Sequence, residues 1–495
     1  MISYKLRAAR EYEIENEKLI SDEQRPSFHL SARVGWMNDP NGFSYYGGKY
    51  HMFYQYHPYD SHWGPMHWGH AISEDLIHWE YLPVALAPDE WYDNEGIFSG
   101  GAITLDDGRH MLMYTGVTRE LQKNGEYKVF QRQCIAVGDG VEYQKYEDNP
   151  VITEDMLPEG ADISDFRDPH LFKVKDGYRV MLASNKPGHG GQMLVYRSQD
   201  GFHWEFDKVF AENEYRLGLM WECPDFFESN GQYVLLASAQ DMLPVGMEYS
   251  NGMGTFYMTG TFNPVTEEFK ETGNHAVDYG MDFYAPQTIL TKDGRRVMMA
   301  WMQNWDTCNM RTKSVPWFGQ MTFPREIWME EGILMQRPIR EIEQYRTNKV
   351  HYEHIRIKND EISLDGIEGR VIDLEIEISA VSKADIFHKF EIRFAQNDQF
   401  YTSVSFRPHE STLRINRKHS GSRRAIIHQR RTYVSHDYGR LKLRILLDKF
   451  SAEIFINDGE RTMTATFYTE MDAKGISFFA LGEAIFSVTK YDLKP

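Results

Sequence analysis

The chain has 495 residues, with 54 lysines and arginines against 73 aspartates and glutamates, a formal charge of −19 at pH 7. That length exceeds one ordinary core and predicts two domains, and the acidic balance excludes nucleic acid and anionic membrane surfaces as partners. The three cysteines, Cys134, Cys223 and Cys308, have no paired spacing, which argues against a disulfide framework and for a reducing compartment.

Residues 1–25 form a charged, helix-forming extension without an apolar leader core. No run approaches 18 apolar residues, so no membrane span is expected, and cytoplasmic residence follows. Across residues 26–335 one pattern returns five times: a turn glycine (Gly48, Gly108, Gly177, Gly231, Gly294) followed by a short apolar run such as KYHMFY or YRVMLA. Strand, glycine turn and strand make a β-hairpin, and intervals of about 60 residues leave room for four strands per unit. Five such units predict a five-bladed β-propeller. SEDLIHW at 73–79 and SQDGFHW at 198–204 are a second, weaker repeat.

Residues 336–352 read as a short helical linker opened by Pro338. Beyond it, over 353–495, the period is two: Ile372, Leu374, Ile376 and Ile378 alternate with acids, and Leu441, Leu443, Ile445 and Leu447 repeat the pattern. Half-buried antiparallel strands at that spacing make a C-terminal β-sandwich, so the fold class is all-β. Its basic stretch, 414–431, lacks interleaved aromatics and reads as a solvated hairpin or a contact within a homo-oligomer.

Nine residues before the turn glycines stand Asp39, Ser99, Asp168, Glu222 and Ala285. Three of the five are acids at the start of otherwise apolar strands, where an unpaired carboxylate is penalised. In a propeller the equivalent ends of the inner strands meet at one mouth of the channel, so these acids converge. Cleavage of a glycosidic bond needs one carboxylic acid to protonate the leaving oxygen and one carboxylate to act on the anomeric carbon. The apolar setting of Glu222, between Trp221 and Cys223-Pro224, should raise its pKa and suit it to proton donation. Asp39 lies between Asn38 and Asn41, whose amides should keep it ionised as a nucleophile, and Arg167 should keep Asp168 ionised to hold hydroxyl groups. Gln55, Trp63, Trp68, Phe98, Ser99, Tyr284, Trp301 and Trp305 are candidate sugar-binding accessories, with Trp63 and Trp68 as stacking faces. His57, His62, His67 and His70 lack a paired-ligand spacing, so no catalytic metal is expected.

WMNDPNG at 36–42, FSG at 98–100, RDP at 167–169 and WECPD at 221–225 resemble the signatures of glycoside hydrolase family 32, the invertases, fructanases and sucrose-6-phosphate hydrolases. The resemblance spans nearly the whole chain. It implies a five-bladed propeller followed by a β-sandwich and a retaining β-fructofuranosidase acting without a cofactor. By position it implies Asp39 as nucleophile, Glu222 as acid/base and Asp168 as transition-state stabiliser. Asn38, Gln55, Trp63, Phe98, Ser99, Arg167 and Trp305 would line the fructose pocket, with Cys223 tuning Glu222; Trp36, Met37 and Tyr284 are counted with them. The expected substrate is a small sugar, sucrose 6-phosphate first and sucrose second, with short fructans as the alternative. His189, Arg311 and Lys313 are candidate phosphate partners. A non-catalytic sugar-binding propeller would be favoured by loss of any one acid, and none is lost; a family 43-like arabinanase or xylosidase shares the layout but not the WMNDPNG and WECPD text.

Overall fold

The computed structural model describes residues 2–308, 316–422 and 425–494. Five antiparallel sheets follow one another along the chain, each laid down from the channel outward. Their inner strands are Gly35–Tyr46, Gly96–Thr104, Asp162–Val174, Met220–Ser229 and Tyr284–Leu290. The fifth sheet closes the ring: its excursion to Trp317–Phe318 runs parallel to Gly35 and Trp36 of the first blade. Tight hairpins built on Gly47-Gly48 and Asn230-Gly231, at positive φ, connect inner to second strands, as the repeat predicts.

All five inner strands break register at the same height. The unpaired residues are Asn38-Asp39, Ser99, Asp168-Pro169, Cys223-Pro224 and Ala285-Pro286. Proline has no N–H for the ladder and therefore favours such a bulge, which bends the strand and re-aims its side chains. The nine-residue count hides an offset of one. Cys223, not Glu222, shares the bulge position and left-handed backbone of Asp168 and Ala285, with φ of 49°, 64° and 52°. Glu222 is instead the counterpart of Arg167 and Tyr284, each the last paired residue before its bulge.

The weaker repeat is structural. In both copies the aspartate, Asp75 or Asp200, accepts from the two backbone amides that follow at 2.8–2.9 Å and from a histidine ring at 2.7 Å. Trp79 and Trp204 close the turn by donating to Leu76 and Gly201 carbonyls, and Leu76 adopts the positive φ that its counterpart glycine adopts freely.

The C-terminal region is a β-sandwich whose ladder is continuous because one long strand, Gly475–Leu493, serves both layers. Its first part pairs with Lys389–Gln396 and its second with Ile372–Ala380. The alternating Ile372, Leu374, Ile376 and Ile378 face the core, with Leu443, Ile445, Phe478 and Phe486. The connection is shorter than the expected 336–352. Strand Ile333–Pro338 completes the fifth blade and Arg346–Ile362 already pairs with the sandwich, so only 339–345 lie between them.

Buried charge joins the two bodies. His29, on the segment following helix Tyr4–Glu17, sits between Asp448 (2.8 Å) and Glu453 (2.9 Å) of the sandwich. Arg325 of the fifth blade reaches Glu453 at 2.9 Å and Asp278 at 3.0 Å. Arg417 pairs with Asp282 of the propeller, so the basic hairpin formed by Thr412–Asn416 and Gln429–Tyr433 is not wholly solvated. Flanked by two carboxylates, His29 has its pKa raised from 6.5 to about 9 despite complete burial, and its stabilisation is full below pH 6.5 and lost as the pH rises through 9. His29→Gln should therefore destabilise by about 3–5 kcal/mol near pH 6.5, the cost of leaving buried charges unpaired. In thermal unfolding the deficit should shrink by pH 10; a deficit independent of pH would refute a charged His29.

Candidate active site

Asp39, Asp168 and Glu222 meet, buried, at one mouth of the channel. The thiol of Cys223 lies 3.7 Å from Asp39 Oδ2 and 3.5 Å from Asp168 Oδ2, so one small side chain bridges two acids. The Cys223 amide also donates to Asp168 Oδ2 at 2.9 Å, a bond available because the bulge turns that amide inward. Ser99 Oγ donates to Asp39 Oδ2 at 2.9 Å, while Asp39 Oδ1 is buried with no hydrogen-bond partner.

Glu222 is held by its two structural counterparts. Arg167 donates to Oε1 from Nη2 at 3.0 Å and from Nε at 3.2 Å, and the Tyr284 hydroxyl donates to Oε2 at 2.5 Å. The expected ion pair of Arg167 with Asp168 is present but long, 3.9 Å from Nε, and the hydrogen bonds of the guanidinium go to Glu222. The electrostatics change accordingly. Burial raises Asp168 to about 6 against the pull of Arg167, instead of leaving it fully ionised. Asp39 is raised to about 7, first by burial and then by Asp168 and Glu222, which outweigh Ser99 and Asn38. Asp39 and Asp168 thus hold their protons to higher pH than exposed aspartates do.

The neighbouring aromatics divide into pocket and core. Trp36 stacks on Phe318 (4.6 Å between ring centroids) and on Trp305 (6.2 Å), and its Nε1 donates to Asn38 Oδ1 at 2.7 Å. Trp63 is 49 % exposed and meets Phe98 edge-on at 6.3 Å, a face open at the rim. Gln55 ties the first blade to the second through the Ile97 carbonyl at 3.0 Å. Three expectations fail. Met37 alternates away from Trp36 into the core beneath the first and fifth blades, with Val297 and Met299. Trp68 and Trp301 are fully buried, as is Trp36; Trp68 offers no stacking face and spends its N–H on the Phe98 carbonyl. His189 lies on an exposed turn between the second and third strands of the third blade, and Arg311 and Lys313 fall outside the described residues.

The sequence reading missed the support beneath these groups. Thr115 Oγ1 accepts from the Asp168 amide at 3.1 Å and donates to Gln133 at 2.7 Å. Gln131 Oε1 accepts from the Phe166 amide at 2.9 Å and from Arg167 Nη1 at 3.2 Å. All three come from the second blade and are buried. The available signal is the alternation of Gln131 and Gln133 just before Cys134-Ile135, polar residues where a packed strand has no other use for them. Among the described residues no group of three or more His, Cys, Asp or Glu could hold a metal ion.

Carboxylates of staggered proton demand, a guanidinium and indole faces at the mouth of a propeller are the equipment of a glycoside hydrolase. Residues 29–338 match Glycosyl hydrolases family 32 N-terminal domain and residues 341–494 match Glycosyl hydrolases family 32 C terminal, and the chain belongs to that family. It is 36 % identical to an Escherichia coli sucrose-6-phosphate hydrolase, over 92 % of this chain and 91 % of the relative, and 34 % identical to an Escherichia coli raffinose invertase, over 93 % of each. Among solved structures, a mutant Bombyx mori GH32 beta-fructofuranosidase in complex with sucrose superposes with a TM-score of 0.85 at 34 % identity, covering 100 % of this chain and 99 % of that one.

A carboxyl whose folded pKa is raised stabilises least when ionised: the cost of Asp39 grows as the pH climbs from about 4 to about 7 and is full above that. Asp39→Asn should therefore be more stable than the parent at pH 8, by an amount of order 2–4 kcal/mol, and the difference should narrow as the pH falls and close near pH 4. A constant or reversed difference in calorimetric Tm would refute the crowded-acid account.

Proposed function

We propose that this chain hydrolyses the terminal β-D-fructofuranosyl unit of a small sucrose-type substrate by retaining double displacement. The observation that carries the assignment of roles is the asymmetry of Asp39: Oδ2 is held by Ser99 and faces the Cys223 thiol, whereas Oδ1 has no partner. A nucleophilic oxygen must be free of donors and aimed by its twin. Asp39 Oδ1 attacks C2 of the fructosyl unit while the C2–oxygen bond to the leaving sugar breaks and Glu222 delivers its proton to that oxygen. Glu222 then takes a proton from water, whose oxygen attacks C2, releasing fructose and restoring Asp39. Tyr284 and Arg167 hold the Glu222 carboxyl in place. Asp168, oriented by the Cys223 amide, accepts from fructose hydroxyls.

Sucrose 6-phosphate is the first choice of substrate and sucrose the second. The relatives named as sucrose-6-phosphate hydrolases support it, including one from Lactobacillus gasseri with a TM-score of 0.83 at 25 % identity. Residence in the cytoplasm fits this choice, since a phosphorylated disaccharide arrives there by import and a polymeric fructan does not.

Asp39→Ala and Glu222→Ala should each lower turnover by several orders of magnitude while leaving the fold intact. With a fructoside whose leaving group needs no proton, Glu222→Ala should still accumulate a fructosyl-enzyme that azide releases; absence of rescue would remove Glu222 from the acid/base role. The kcat/KM for sucrose 6-phosphate should exceed that for sucrose by roughly tenfold or more, the scale of one charge-assisted contact. Equal values would leave a plain invertase.

A further inference from the structure

The basic stretch is only partly explained by the pairing of Arg417. Arg414, Gln429, Arg430 and Arg431 line a cleft of about 410 Å³ between the sandwich hairpin and a propeller loop that carries Tyr249 and Ser250. Arg414 and Arg431 are direct partners in the ladder of this hairpin, an arrangement of like charges that opposes strand pairing. Arg414 Nε is buried with no hydrogen-bond partner. Elsewhere along the same junction guanidinium groups have carboxylates: Arg325 has Glu453, Arg417 has Asp282 and Arg461 faces Glu248 at 3.6 Å. The acids that act on Arg430, Asp306 and Asp282, are occupied by the Met253 amide and by Arg417. Among the described residues Arg430 itself reaches only the Asn251 carbonyl, at 3.5 Å. Arg414 and Arg431, on one face of the hairpin, thus have no carboxylate partner among the described residues, in a chain whose net charge is −19, while Arg430, the next residue of the strand, points to the opposite face.

We propose that this cleft is a binding site for a phosphate monoester, separate from the catalytic mouth. Two guanidinium groups on one face match the double charge of a phosphate dianion, which a single carboxylate would leave under-neutralised. The volume suits a ligand of hexose phosphate size, with Tyr249 and Ser250 also in the lining.

The test is calorimetric titration of the full-length protein at low ionic strength with glucose 6-phosphate, with glucose as control, in the parent and in Arg414→Gln/Arg431→Gln. Glucose 6-phosphate should bind the parent, and the double variant should lose that site or bind at least about tenfold more weakly, as expected when charge-assisted contacts are removed. Sucrose turnover in the double variant should stay at the parent level. A second readout separates binding from mere structure: without phosphate, Arg431→Gln should not lower Tm, because it relieves like-charge repulsion. No binding to the parent, equal binding of glucose, an unchanged affinity and stoichiometry in the double variant, or a lowered Tm in phosphate-free Arg431→Gln would each overturn the proposal.

Discussion

The break in register shared by the five inner strands is the constraint on which the site depends. A regular strand turns successive side chains to opposite faces, so it cannot aim neighbouring residues into one channel. Each bulge releases that alternation at the height of the mouth. As a result Asp168 receives the Cys223 amide, and the paired residues just before three bulges, Arg167, Glu222 and Tyr284, interlock. The acids are therefore held by backbone geometry and by one another, with little dependence on flexible loops.

Crowding then supplies the chemistry. Burial and mutual repulsion raise Asp39 and Asp168, so the substrate-free site keeps protons that isolated surface carboxylates would lose near neutral pH. A double displacement needs one ionised acid and one protonated acid within reach of the same bond. Thr115, Gln131 and Gln133 fix the hydrogen-bonding geometry beneath it, and their complete burial makes each of their bonds expensive to break.

The junction with the sandwich relies on a different arrangement. His29, Arg325 and Arg417 are buried opposite carboxylates from the other body, and such pairs need close geometry because desolvation consumes most of their attraction. They set the orientation of the two bodies. The same junction leaves Arg414 and Arg431 lining a cleft without that compensation among the described residues.

The sequence by itself determined the number of blades, the sandwich, and the identity of the three acids. These are properties of period and composition: a hairpin turn needs its glycine, a packed sheet needs alternation, and an acid on an apolar strand stands out. The weaker repeat around Asp75 and Asp200 was equally visible, although only its hydrogen bonds identify it as a turn device. Tertiary structure decided what pairs with what. Counting back from glycines placed Glu222 level with Asp168, whereas strand pairing sets it level with Arg167, and that one-residue shift transfers the hydrogen bonds of the arginine from one acid to another. Strand alternation sent Met37 to the core and burial withdrew Trp36, Trp68 and Trp301, which sequence spacing alone could not distinguish from the half-exposed Trp63. Desolvation and the distances between charges set the proton affinities of Asp39 and Asp168, and both exist only once strands far apart in the chain have closed the ring.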